Sequence, residues 1–141
     1  MATTNATISI TSDIMSYPIN INKTMTMKKF QTCNGIEETS GLNVKKFNAT
    51  TAVEIISNAE GTAGKASKVY IRNTGSSKAN YFYVALNNNA AGATETETIG
   101  KLYGGDWMLI PWIATASTTH DIVVAPNTAE DMTIEWMVFV E

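Results

Sequence analysis

The sequence predicts an all-β domain, a two-sheet antiparallel β-sandwich of either the jelly-roll or the Ig-like Greek-key kind. Three observations predict it. The C-terminal segment places Met132, Ile134, Trp136, Val138 and Val140 at every second position with Thr133 and Glu135 between the first of them, the period of a half-buried strand. Segments of this kind are separated by turn-forming clusters: Asn34-Gly35, Ser40-Gly41, Gly61 to Gly64, Asn73-Thr74-Gly75, Asn87 to Gly92, Gly104-Gly105 and Pro126-Asn127. Asn and Gly tolerate positive φ, and Pro withholds a ladder donor. Finally, no segment sustains apolar spacing at three and four residues for long enough to build an amphipathic helix.

Taken in chain order, the expected strands begin with Thr7 to Thr11. In the second, Ile19, Ile21, Met25 and Met27 alternate with Asn20, Asn22, Thr24 and Thr26. Ala52 to Ser57 is the third. Val53, Ile56 and Ala59 also fall on a helical stripe, but Thr50-Thr51 and the Val-Glu-Ile-Ile composition favour a strand. Lys68 to Arg72 and Tyr81 to Leu86 are expected to form a hairpin through Asn73-Thr74-Gly75-Ser76-Ser77. Thr98 to Tyr103, Met108 to Ile113, Asp121 to Val124 and the segment after Asp131 complete the set. Short strands at this spacing suit a sandwich, and residues 8–141 are read as one such domain. Residues 1–7 read as frayed chain or as an extended N-terminal arm that orders on a neighbour.

With 141 residues the chain is long enough to bury a core without a staple. The single cysteine, Cys33, has no partner for an intramolecular disulfide and reads as a small apolar side chain in a reducing compartment. The N-terminus lacks the basic start and apolar run of a secretory signal, so synthesis in the cytosol is expected. No window approaches the roughly 20 apolar residues of a membrane helix. Lys and Arg number 10 against 13 Asp and Glu, a net charge of −3 with the signs interspersed, which argues against nucleic acid as partner. Lys28-Lys29 and Lys45-Lys46 read as solvated loop or edge charges.

No catalytic constellation, cofactor motif or metal cluster stands out. Gly61-Thr62-Ala63-Gly64-Lys65-Ala66-Ser67 departs from a phosphate loop at Ala59, where a glycine is needed, and at Ala66, where a hydroxyl is needed. His120 is the only histidine, so a multi-histidine zinc site is excluded. Glu95 and Glu97 near Asn87-Asn88-Asn89 lack a calcium-loop pattern, and Glu37-Glu38 has no marked carboxylate partner. The protein is expected not to be an enzyme.

The aromatic residues carry the functional signal. On a strand Phe82 points away from Tyr81 and Tyr83, and the stretch around Pro111 with Trp107, Ile110 and Trp112 is too apolar to leave one face polar. Such faces need cover, from the same domain or from a partner, and Tyr81, Tyr83, Trp107 and Trp112 are the candidate interface residues.

The run Lys68-Val69-Tyr70-Ile71-Arg72-Asn73-Thr74, then Tyr81-Phe82, the Tyr-x-Gly-Asp-Trp-x-x-Ile-Pro-Trp stretch from Tyr103 to Trp112, and the closing Met132-Thr133-Ile134-Glu135-Trp136 resemble small virion structural proteins of marine tailed phages. The resemblance implies a β-sandwich decoration or cement subunit on the capsid surface, a homotrimer in many cases, with the major capsid protein as partner. It brings no catalytic residues, and charge and hydropathy already argue against a nucleic-acid or membrane partner. Two other readings remain at this point. One is a tail- or fibre-associated virion subunit, and the other is a carbohydrate-binding module that stacks sugars on Trp107 or Trp112 and Tyr103.

Overall fold

The computed structural model describes residues 3–13, 18–28, 35–36, 38–60, 65–86, 98–113 and 120–141. These residues form strands β1 (Thr4–Ser12), β2 (Ile19–Met27), β3 (Glu38–Thr39), β4 (Asn43–Phe47), β5 (Val53–Ile56), β6 (Ala66–Asn73), β7 (Tyr81–Leu86), β8 (Thr98–Tyr103), β9 (Trp107–Ile113), β10 (Ile122–Pro126) and β11 (Met132–Val140), with one short 3₁₀ turn at Asn58–Glu60. The all-β expectation holds, every pairing is antiparallel, and the arrangement is consistent with a β-sandwich.

Alternation divides each strand between two surroundings. In β6, Ser67, Val69, Ile71 and Asn73 are buried while Lys68, Tyr70 and Arg72 turn away, and register carries the pattern to its neighbours: Val69 lies between Ile110 and Val138, and Ile71 between Met108 and Trp136. The resulting five-stranded sheet has the order β3-β11-β6-β9, with β4 also pairing β11. The second sheet has the order β5-β10-β7-β8. Phe82, Val84, Ile122, Val124 and Leu102 of this four-stranded sheet share one core with Val69, Ile71, Ile134, Val138 and Trp112 of the other. The edge-to-face contact of Phe47 and Phe82, centroids 5.3 Å apart, ties the sheets together.

The hairpin expected between Lys68–Arg72 and Tyr81–Leu86 does not form. β6 and β7 lie in different sheets, and the chain between them crosses from one to the other. The reason lies at buried Asn73. Its side-chain amide donates to the Leu102 carbonyl of β8 at 3.0 Å and its side-chain oxygen accepts from the Gly75 N–H at 3.0 Å, so the turn-forming residues bridge the sheets rather than reverse the chain within one. The crossing from β8 to β9 lies against it. The Gly104 N–H donates to the Ser77 carbonyl at 2.9 Å, the Gly105 N–H to the Asn73 carbonyl at 3.0 Å, and Lys78 Nζ to the Gly104 carbonyl at 2.6 Å. Gly105 has φ +87°, and a Cβ on Gly104 would come within 2.4 Å of the Ser77 carbonyl oxygen. Glycine is therefore required at both positions for different reasons.

β3 and β4 were not among the expected strands. Only Phe47 of β4 is buried, and Val44, Lys45 and Lys46 are exposed, so the segment lacks the apolar alternation by which a strand is read. Lys45 and Lys46 thus sit on a strand that, among the described residues, is bordered only by β11, in keeping with their reading as edge charges.

At the N-terminus, β1 and β2 pair along their whole length, Thr4 with Met27 through Ser12 with Ile19, and form a two-stranded sheet of their own. Residues expected in an arm therefore enter a β-ribbon from Thr4 onward.

Candidate association surfaces

The four candidate residues occupy three environments. Trp112 is a core residue: its side chain is 6% exposed, packs with both sheets, and donates from Nε1 to the His120 carbonyl at 2.8 Å. Strand alternation explains this, since Met108, Ile110 and Trp112 form the inward set of β9 and Trp107, Leu109, Pro111 and Ile113 the outward set. The expectation that Trp112 presents a contact surface is corrected on this ground. Trp107, five residues earlier and of opposite parity, is 49% exposed on the outer face of the five-stranded sheet.

Tyr81 and Tyr83 share the outer face of the four-stranded sheet, as the opposition to buried Phe82 requires. Their hydroxyls are hydrogen-bonded at 3.0 Å, their rings meet edge-on at 5.0 Å, and Tyr103 from β8 lies 5.1 Å from the Tyr81 ring. Register makes this cluster: Tyr81 pairs with Tyr103 and Tyr83 with Lys101. Lys101 Nζ stands 4.8 Å from the Tyr81 centroid and 5.2 Å from that of Tyr83. Desolvation pulls the Lys101 pKa down, but the charge interactions with Tyr81 and Tyr83 outweigh it and hold the ammonium above its ordinary range. Behind the tyrosines, Ala52, Val123 and Ala125 form a small buried cluster against which Tyr83 packs. Lys101 and Tyr103 were missed as members of this surface because only the register of β7 and β8 brings them there.

The second surface involves the ribbon. Its two faces differ: Asn5, Thr7, Ser9, Thr11, Asn20, Asn22, Thr24 and Thr26 lie on one, while Ala6, Ile8, Ile10, Ile19, Ile21, Met25 and Met27 lie on the other with Thr4, Ser12 and Lys23. Met27 is buried at the base, but Ile8, Ile10, Ile21 and Met25 are 37–44% exposed. Between the basal half of the ribbon and the outer face of the five-stranded sheet run two adjoining grooves of about 590 and 530 Å3. The first is lined by Met27, Tyr70, Leu109 and Phe139 among others, and the second by Ala6, Ile8, Met25 and Trp107. The polar members of this outer face are tied down among themselves. The Tyr70 hydroxyl donates to Glu135 Oε1 at 2.9 Å, Arg72 Nη1 reaches the same oxygen at 3.4 Å, and Lys68 pairs with Glu141. The alternation of Ile19 to Met27 was legible in the sequence. That its apolar side is left open was not.

Among the described residues no group of three or more His, Cys, Asp and Glu side chains is gathered to hold a metal, and no helix is long and apolar enough to cross a membrane. Cys33, Glu37, Gly61 to Gly64, Asn87 to Asn89, Glu95 and Glu97 lie outside the described residues. Of the residues expected as sugar-stacking platforms, Trp112 is buried, while Tyr103 and Trp107 lie on strands of different sheets. Compared with protein-family models, curated proteins and solved structures, the chain matches none.

Proposed function

We propose that this chain is a non-enzymatic virion structural protein of a tailed phage, a capsid decoration or cement subunit that binds the major capsid protein on the shell surface and self-associates as a trimer. The observation that carries the reading is the apolar side of the β1–β2 ribbon, held out from a firmly packed body with Ile8, Ile10, Ile21 and Met25 open to solvent. Exposed apolar side chains grouped on one element are the mark of a surface used for association. The aromatic resemblance from Tyr103 to Trp112 supplies the virion context, and the outward Trp107 belongs to that stretch.

The strand orders support a jelly roll over an Ig-like Greek key. Between β4 and β11, each chain connection passes from one sheet to the other except that of β7 to β8, and the two four-strand orders β4-β11-β6-β9 and β5-β10-β7-β8 are those of paired Greek keys rolled around one core. Viral capsid and lectin domains both use this architecture, so the fold agrees with a shell component without selecting it.

Repetition over a shell turns moderate contacts into avidity, and a packed sandwich presents them in fixed geometry. Sedimentation velocity of the purified protein, alone and with expanded capsids, tests the reading. A stable trimer that travels with the shells is expected. A protein that leaves the capsids unaltered and sediments apart from them sinks it, and labelling of whole particles then decides for a tail or fibre position.

A further inference from the structure

We propose that the two grooves between the β1–β2 ribbon and the five-stranded sheet are one binding slot for a single-chain amphiphilic anion, an alkyl carboxylate whose head meets Lys23 and whose chain lies on Met25, Trp107 and Leu109. The proposal goes beyond the association reading: Ile10 and Ile21, nearer the ribbon tip, line neither groove and stay open to a protein partner.

The walls come from both parts of the chain. Ala6, Ile8 and Met25 of the ribbon line one groove together with Trp107 and Leu109 of β9, and Met27, Tyr70 and Phe139 carry the apolar lining into the other. The grooves share Ala6, Thr7, Trp107 and Leu109, so they form one continuous slot. Their volumes of about 590 and 530 Å3 are those of small-molecule sites. Such sites measure about 300–1,000 Å3 and are lined mainly by apolar and aromatic side chains with a few placed polar groups.

Charge says which small molecule suits the slot. Lys23 is the one charged residue on the apolar face of the ribbon: register sets it opposite Ile8, and alternation turns it to the same side as Ile21 and Met25. A lysine suits the mouth of an apolar trough, because its alkyl stem can lie on apolar surface while the ammonium keeps to the polar edge. Among the described residues Lys23 has no carboxylate partner, and no described Asp or Glu lines either groove. Arg72, the other cation of the lining, is already matched, since its Nη1 lies 3.4 Å from Glu135 Oε1. The slot therefore offers one unmatched positive charge beside an apolar floor, the complement of an anionic head on an alkyl chain. A neutral hydrocarbon leaves the ammonium unmatched, and a cationic head sets like charge against it. A chain in the slot also covers Ile8 and Met25, which are 42% and 37% exposed without it.

Isothermal titration of the full chain with dodecanoate, kept below micelle formation, tests the proposal. Binding is expected, and decanoate, two methylenes shorter, should bind roughly tenfold more weakly. Lys23→Glu should lose about tenfold or more in dodecanoate affinity and gain affinity for dodecyltrimethylammonium, which carries the opposite charge on the same chain. Lys46→Glu, the same change of charge at an exposed surface pair, is the control and should bind as wild type does. Circular dichroism checks that each variant is folded. Absence of dodecanoate binding, equal affinity for the two chain lengths, or unaltered affinity in Lys23→Glu overturns the proposal. Flotation with phosphatidylglycerol vesicles separates a free chain from a lipid surface: the protein is expected to stay in the soluble fraction, and vesicles that carry it with them overturn the single-chain assignment. Capsid sedimentation is scored separately. A protein that binds shells and no dodecanoate keeps the virion reading and loses this one, whereas the reverse outcome removes only the virion reading.

Discussion

Gly104 is where one atom decides most. A Cβ there would lie 2.4 and 2.6 Å from the Ser77 backbone oxygen and nitrogen, and backbone on a locked crossing has nowhere to go. Gly104→Ala is expected to cost about 2–3 kcal/mol, read as a lower urea midpoint at unchanged slope. The two tryptophans of the Tyr103–Trp112 stretch separate core from surface. Trp112→Ala removes a buried indole and its bond to His120, and a loss of about 3–5 kcal/mol is expected; Trp107→Ala should stay within about 0.5 kcal/mol of wild type and show its effect in association instead. Equal destabilisation by both would mean that Trp107 is part of the core. Tyr70 gives a pH signature. Burial, then the hydrogen bond to Glu135 and the charge of that carboxylate, raise its pKa above 10.0. A raised folded pKa means that the folded state holds the proton more tightly than the unfolded one. The contribution is thus fully present below pH 10 and fades as pH climbs through the folded value. In denaturation curves between neutral pH and strong alkali, wild type should lose more stability than Tyr70→Phe as pH rises from 10 through the folded value, and parallel curves would refute the assignment.

Among the elements, the ribbon and the strands of the body have different supports. β6 is paired on both sides and contributes Val69 and Ile71 to the core, whereas among the described residues β1 and β2 pair only with each other and reach the body through Met27 and the groove residues. Removal of residues 1–25, which keeps buried Met27, is therefore expected to leave the thermal midpoint of the body within a few degrees. A large fall in the midpoint would show that the ribbon is a structural part of the domain. Among the described residues β9 is an edge strand, paired only with β6, and as such it tolerates Pro111.

Over the whole molecule, the shared core makes the two sheets one cooperative unit. Phe47 touches Phe82 across the interior, Asn73 hydrogen-bonds Leu102 across the crossing, and neither sheet closes an apolar interior without the other. Far-ultraviolet circular dichroism, which follows the strands, and tryptophan fluorescence, which follows Trp112 and half-buried Trp136, should give coincident unfolding curves. Separated transitions would mean that the sheets come apart independently. The outer faces do not share this cohesion, and it is there, at the tyrosine cluster and along the ribbon and β9, that the molecule has surface to offer a partner.

What the sequence by itself determined is what local periodicity encodes. The alternation of Met132 to Val140 and of Ile19 to Met27, the opposition of Phe82 to Tyr81 and Tyr83, and the breaks at Asn73-Thr74-Gly75 and Gly104-Gly105 each depend on residues adjacent in the chain, and each reappears in the strands and turns. Only the tertiary structure decided which strands share a sheet, because a turn signal marks where a strand ends and not to which sheet the next one goes. Asn73 crosses to β8 through a bond to a residue far along the chain. The same limit governed the surfaces. Trp107 and Trp112 are chemically alike, and it was the parity of β9 against β6 that sent one outward and the other into the core. Alternation states that a strand has an apolar side; whether that side is buried depends on what the rest of the chain lays against it. For the ribbon it lays against it too little, and for β11 an entire sheet.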